Sequence, residues 1–325
     1  MLSVPPWCAV AVGLAIGCAP VMQRARVTRE EPVSERENEA RERVVNDDCS
    51  RRLSLLWPGV VQLCRGRSTE GGLMLGLGAA ELGTGLAAGF DQGFGSAAAG
   101  VPLLAFGDLL TLSALDAVIE SQRAARYRFV PQESLSEMAA APFSPQVLSK
   151  PAVWAGIAGT LAAGILVSRI VDGPVDTTNF GRRPVLFGKE LNSAVGYPLA
   201  GAIGIGLFEH VAIAEESAFR GLVQSGWARS SGEDRGWIYG SLTFGLVHAS
   251  NIVFMDPSQR LTYLAVGVPF ITALGSYLGL AYRWSGYSLA PSVAIHFWYD
   301  FLIEAYGFVL DPRHSPLALT WGMGF

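Results

Sequence analysis

The stretch LFEHVAIAEESAFRG, residues 207–221, closes a long apolar run that begins near residue 193 and ends it with Glu215, Glu216 and Arg220. Charged side chains are costly in hydrocarbon, and where they occur they mark either the water boundary of a span or a polar site inside a helix bundle. The surrounding chain favours a membrane setting. Half of the 325 residues are hydrophobic and 16% are charged, with a mean hydropathy of +0.33, whereas soluble domains carry nearer a quarter charged residues. The 38 glycines suit helices that pack closely in lipid. A net charge of −4 with no basic stripe excludes a nucleic-acid partner.

Outward from that stretch, apolar runs cover residues 71–90, 96–118, 151–171, 193–214, 237–254, 262–282 and 288–308. Each reaches or approaches the roughly 20 residues that a helix needs to cross a bilayer. The expected fold is an all-α, polytopic membrane protein of about seven spans. The first run carries Gly72-x-x-x-Gly76 and Gly85-x-x-x-Gly89, spacing that suits helix contact. Before it, LSLLWPGVVQLCRGR has a Pro-Gly break and reads as an interfacial segment. The basic loops 119–150 and 172–192 both favour the cytoplasmic side, yet a single run separates them. One loop departs from the charge rule, or 151–171 does not cross.

Residues 1–22 read as a signal peptide or an N-terminal anchor, with an apolar centre too short for an ordinary span. LAIGC resembles a lipobox with Cys18 as the lipidated residue, although residues 1–7 carry no Lys or Arg. Residues 23–52 are a charged, solvated linker. Residues 53–190 form an N-terminal membrane region, 191–310 the motif-bearing core and 311–325 a tail. The four cysteines have no metal-ligand spacing, and Cys49 and Cys64 are placed to pair in an oxidising compartment.

Few ionisable groups fall inside the runs. Glu81, Asp108 and Asp116 are lone acids without a partner at helical spacing, expected to be structural. Glu216 and Arg220 lie four apart on one helix face and can pair, while Glu215 is rotated by about 100° and can point elsewhere. Phe244 and His248 share a face in the fifth run, as do His296 and Asp300 in the seventh. A packed core histidine and a buried hydrogen bond account for these pairs as well as catalysis does. His210 precedes Glu215 by five residues and can line the same space; His314 follows a polar turn and reads as solvated.

Taken in order, EESAFR (215–220), FGLVH (244–248) and HFWYD (296–300) resemble the CAAX prenyl endopeptidase and bacteriocin-processing (CPBP, or Abi) family of intramembrane proteases, over about residues 190–310. The last motif has Asp300 where the prenyl-protein proteases usually carry Asn. The resemblance implies an intramembrane endopeptidase acting on a peptide or a lipidated protein among membrane lipids, in the bacterial inner membrane. It implies catalytic roles for Glu215, His248, His296 and Asp300, supported by Glu216, Arg220 and Phe244. Peptide hydrolysis within a bilayer needs a wet cavity, a base and oxyanion donors. Glu215 and His248 would grip one water, His296 would donate to the oxyanion and Asp300 would fix its tautomer. Glu216 and Arg220 would hold the helix or the substrate terminus. Glu215, His248 and His296 would also make a three-ligand zinc set with an open fourth position, although the family is compatible with metal-free, glutamate-dependent hydrolysis, the preferred expectation. A catalytically silent scaffold and a transporter or proton relay are the alternatives; the repeats and matched broken helices of transporters are not visible.

Overall fold

The computed structural model describes residues 56–171, 173–174, 177–253 and 255–313. The expectations for Cys18, the charged linker and His314 lie outside them. Cys64 is disulfide-bonded, and its partner is outside them too.

The described chain is almost wholly helical. A short helix α1 (Val60–Cys64) leads into the hairpin of α2 (Ser68–Gln92) and α3 (Ala97–Ala124). The segment read as interfacial is tucked against this hairpin. Gln62 is buried and donates to Ser113 O at 3.0 Å and to Asp116 Oδ2 at 2.8 Å. Arg67 closes on the same Asp116 at 2.6 Å, so this acid has the structural role expected of it. Short helices α4 (Leu135–Ala140) and α5 (Pro145–Leu148) follow, the first opened by a capping box between Ser134 and Glu137.

Helix α6 (Pro151–Val171) is long and apolar enough to cross, so the two basic loops lie at its opposite ends. A hairpin of β1 (Val185–Leu186) and β2 (Lys189–Glu190) turns through Phe187 and Gly188, both at positive φ. Then come α7 (Ser193–Ser231), α8 (Glu233–His248), α9 (Arg260–Trp284) and α10 (Ala290–Leu310).

Six described helices are long and apolar enough to cross a membrane: α2, α3, α6, α7, α9 and α10. The expected run 237–254 does not make a seventh. Helix α8 has 16 residues and gives way to a 3₁₀ turn over Ala249–Val253. At 1.5 Å per residue that is about 24 Å, against a hydrocarbon core of about 30 Å.

The charges at 215–220 do not end the helix that carries them. Helix α7 continues through them for 39 residues in all, widening into a π-helical stretch at Ser217–Gln224. Such π segments are rare and occur often at functional sites.

Glycines set the distances around this stretch. A Cβ on Gly240 of α8 would lie 2.9 Å from the Gln224 side chain, and one on Gly275 of α9 would lie 2.7 Å from the Phe244 ring. Small residues here let α7, α8 and α9 close on one another, as lipid-embedded helices do. A Cβ on the expected contact glycines Gly72 and Gly76 would meet nothing within 4 Å among the described residues, whereas one on Gly85 would meet Leu103 of α3.

Candidate active site

Glu216 and Arg220 sit one turn apart on α7, almost completely withdrawn from solvent at 0% and 1% exposure. Arg220 Nε stands 3.1 Å from Glu216 Oε2, and its NH2 donates to Gly275 O of α9 at 3.1 Å. Its guanidinium lies 4.4 Å from the centre of the Phe244 ring on α8, a cation–π contact strengthened by the dry surroundings. Three helices are thus fastened through one arginine.

The same Phe244 carries the next step. Its carbonyl accepts from His248 Nδ1 at 2.7 Å, and its ring packs on the imidazole at 4.6 Å. The Tyr263 hydroxyl donates to His248 O at 3.0 Å, holding the end of α8. A carbonyl can only accept, so Nδ1 carries a proton, and in the neutral form of such a ring Nε2 is an acceptor. That acceptor faces Glu215 Oε2 across 3.8 Å.

His296, on α10, is anchored differently from the expectation. Its Nδ1 donates to Glu216 Oε1 at 2.9 Å, so the carboxylate that orients the ring is Glu216. Asp300 Oδ2 approaches the other nitrogen, Nε2, to 3.3 Å, and Glu215 Oε2 stands 3.8 Å from the same atom. Acids therefore face both ring nitrogens, Glu216 at Nδ1 and Asp300 at Nε2, and the reach of Glu216 extends beyond its own helix.

All seven residues carried by the resemblance gather where α7, α8 and α10 meet. They form a dry, enclosed side and a more exposed one. Glu216, Arg220 and Phe244 are fully enclosed, while the Glu215 side chain keeps 27% exposure and Asp300 20%. Consecutive glutamates reach the two sides because neighbours on a helix differ by about 100°.

One acid outside the expected set lies nearby: Glu304 follows Asp300 by one turn on α10, and its spacing of four from Asp300 was the available signal. His210 does not join the cluster through Glu215; its nearest acid is Glu81, at 3.8 Å.

Glu215, His248 and His296 are donors of the type zinc takes. Among the described residues, however, no three His, Cys, Asp or Glu side chains are gathered closely enough to hold a metal ion. The residues as placed do not fit the expected zinc set.

No curated protein and no solved structure matches the chain. Residues 198–302 match the family model described as type II CAAX prenyl endopeptidase Rce1-like. That span holds every motif residue from Glu215 to Asp300 and leaves α2, α3 and α6 outside it. The match supports a peptidase, and the six apolar helices support an integral membrane protein. It agrees with the CPBP resemblance carried by the motifs and identifies α7 to α10 as the part of the chain similar to CAAX-type intramembrane proteases.

Proposed function

We propose that the protein is an intramembrane endopeptidase in which Glu215 and His248 hold and activate the hydrolytic water. The observation that carries this reading is the gap between two acceptors. His248 Nε2 and Glu215 Oε2 stand 3.8 Å apart, too far and of the wrong polarity for a direct bond while the imidazole is neutral. Glu215 Oε2 has no hydrogen-bond partner among the described residues. A water lying about 2.8 Å from each would donate to both.

In the proposed reaction Glu215 takes a proton from this water as its oxygen attacks the scissile carbonyl carbon. The carbonyl π bond opens to an oxyanion. His296, as an imidazolium whose Nδ1–H is held by Glu216, donates its Nε2–H to that oxyanion. On collapse the C–N bond breaks, and the proton held by Glu215 passes to the leaving amine. Arg220 holds Glu216, and so holds His296 indirectly. The substrate class is a peptide or lipidated protein that reaches the site from the bilayer, with prenylated proteins first among the candidates because of the family match. The bacterial inner membrane is the proposed location.

The test is cleavage of prenylated and unprenylated peptides by detergent-purified protein, parent against Glu215→Gln. Loss of the base is expected to lower kcat by about 10²–10⁴-fold. Full activity in Glu215→Gln would end the proposal, and a panel left wholly uncleaved by the parent would favour the silent scaffold. Metal analysis of the same samples decides between the metal-free route and zinc.

A further inference from the structure

One of the two groups proposed to hold the water belongs to the last residue of a helix. Helix α8 ends at His248, and the final carbonyls of a helix have no partner within it. Such ends fray unless something outside holds them. The chain that follows does not pack this one down: the 3₁₀ turn over Ala249–Val253 contributes no buried residue. The hold comes from α9. Tyr263 donates its hydroxyl to His248 O at 3.0 Å, and the Tyr263 oxygen accepts from Asn251 Nδ2 at 3.1 Å. A carbonyl only accepts, so the hydroxyl proton is committed to His248 and the hydroxyl oxygen is left to take the amide proton.

Tyr263 is itself fixed. It is 2% exposed and lies in one buried cluster with Phe244, Met255 and Ile271. A Cβ on Gly267 would stand 2.7 Å from its ring, so the backbone of α9 closes on the ring about one turn further on. Tyr263 also opens a π-helical stretch, Tyr263–Gly267. The other such stretch among the described residues follows Glu215 and Glu216 directly. Segments wound in this way are rare and occur often at functional sites. Here one follows Glu215 and the other begins at the residue bonded to His248.

We propose that Tyr263 is a positioning residue for the reaction: its hydroxyl fixes the end of α8 so that His248 Nε2 stays a water's width from Glu215. The inference rests on the protease reading. None of the three motifs contains Tyr263. It acts through the main chain of His248, while the carbonyl of Phe244 holds the ring.

The experiment measures kcat, KM and thermal unfolding in detergent. It compares parent, Tyr263→Phe, Tyr277→Phe, His248→Ala, Glu215→Gln and the double variant Tyr263→Phe with His248→Ala. Phe keeps the ring and removes the hydroxyl alone. Tyr277, also on α9, donates to another main-chain carbonyl, Ala152 O of α6, and is the control for losing such a bond elsewhere. Both Phe variants are expected to lower Tm by about 2–4 °C. Only Tyr263→Phe is expected to lose kcat, by about 10–10²-fold through misplacement of His248, with KM held within about twofold. In the double variant the imidazole being positioned is gone, so kcat is expected to stay within about twofold of His248→Ala alone. Parental kcat in Tyr263→Phe overturns the inference. So does an equal loss in Tyr277→Phe, a full further loss in the double variant, or a Tyr263→Phe that fails to fold, each of which makes the hydroxyl merely structural. The two readings fail separately. An active Glu215→Gln, or a parent that cleaves no peptide, defeats the protease proposal and this inference with it, while an inactive Glu215→Gln beside a parental Tyr263→Phe defeats only this one.

Discussion

Removing Arg220 tests whether the dry side of the site is held as described. Arg220→Met keeps most of the side-chain volume but leaves Glu216, at 0% exposure, without its cation. It also loses the bond to Gly275 O and the contact with Phe244. Breaking one partner of a buried pair costs about 3–5 kcal/mol, because the other charge is left uncompensated. At about 1.4 kcal/mol per decade, that raises the unfolded fraction by roughly two to three and a half orders of magnitude. The informative comparison is the double variant Glu216→Leu with Arg220→Met. Replacing a whole buried pair by apolar residues is often neutral or stabilising, so unfolding in detergent is expected to return close to the parent. Activity is not expected to return. His296 loses the carboxylate that holds Nδ1 at 2.9 Å, and the ring is free to turn away from the reacting carbonyl, a misplacement worth about 10²-fold. Peptide cleavage normalised to folded protein gives the second readout. A double variant that regains activity together with stability would refute the idea that Glu216 orients His296.

Three further outcomes follow from the same geometry. His248→Ala is expected to approach Glu215→Gln in lost kcat, because the water loses its second acceptor; cleavage by monodisperse protein checks this. Asp300→Asn installs the residue usual in the prenyl-protein proteases that the motifs resemble. Substantial retained activity is expected if the group serves as a hydrogen-bonding neighbour of His296 Nε2, and collapse of kcat would show that its charge is required. Gly275→Ala drives a Cβ to 2.7 Å from the Phe244 ring, which overpacks the contact by about 1–3 kcal/mol. Tm and activity are expected to fall together there, while Gly201→Ala, with nothing within 4 Å, leaves both unchanged.

What was legible in the sequence is what helical spacing places on one face. Glu216 with Arg220, Phe244 with His248, and His296 with Asp300 are each four apart, and each pair occupies one stretch of the site. Links between helices leave no such trace. The bond from Glu216 to His296 spans 80 positions. Apolar runs located the six long helices but missed the length of α7. Its residues 215–231 are more polar than the run before them, yet the helix continues through them. In the opposite direction, the apolar run 237–254 overstated a helix that stops at His248. Small-residue spacing alone did not separate Gly85, where a Cβ would meet Leu103, from Gly72 and Gly76, where it would meet nothing within 4 Å among the described residues.

The two adjacent glutamates have different neighbours, and that difference organises the site. Glu216 points into the dry side, where Arg220 and His296 use both of its oxygens, so its charge is committed to structure and orientation. Glu215 turns by about 100° towards the more exposed side and keeps 27% of its side-chain exposure. No cation is within ion-pairing distance of it among the described residues apart from the two histidines, whose Nε2 atoms stand 3.8 Å away. A carboxylate that is already paired is a poor base, because taking a proton means giving up its partner, and this contrast is why the proposed mechanism assigns the base to Glu215. The π-helical stretch begins at Ser217, directly after the two glutamates, so the helix changes its winding where the dry anchor ends.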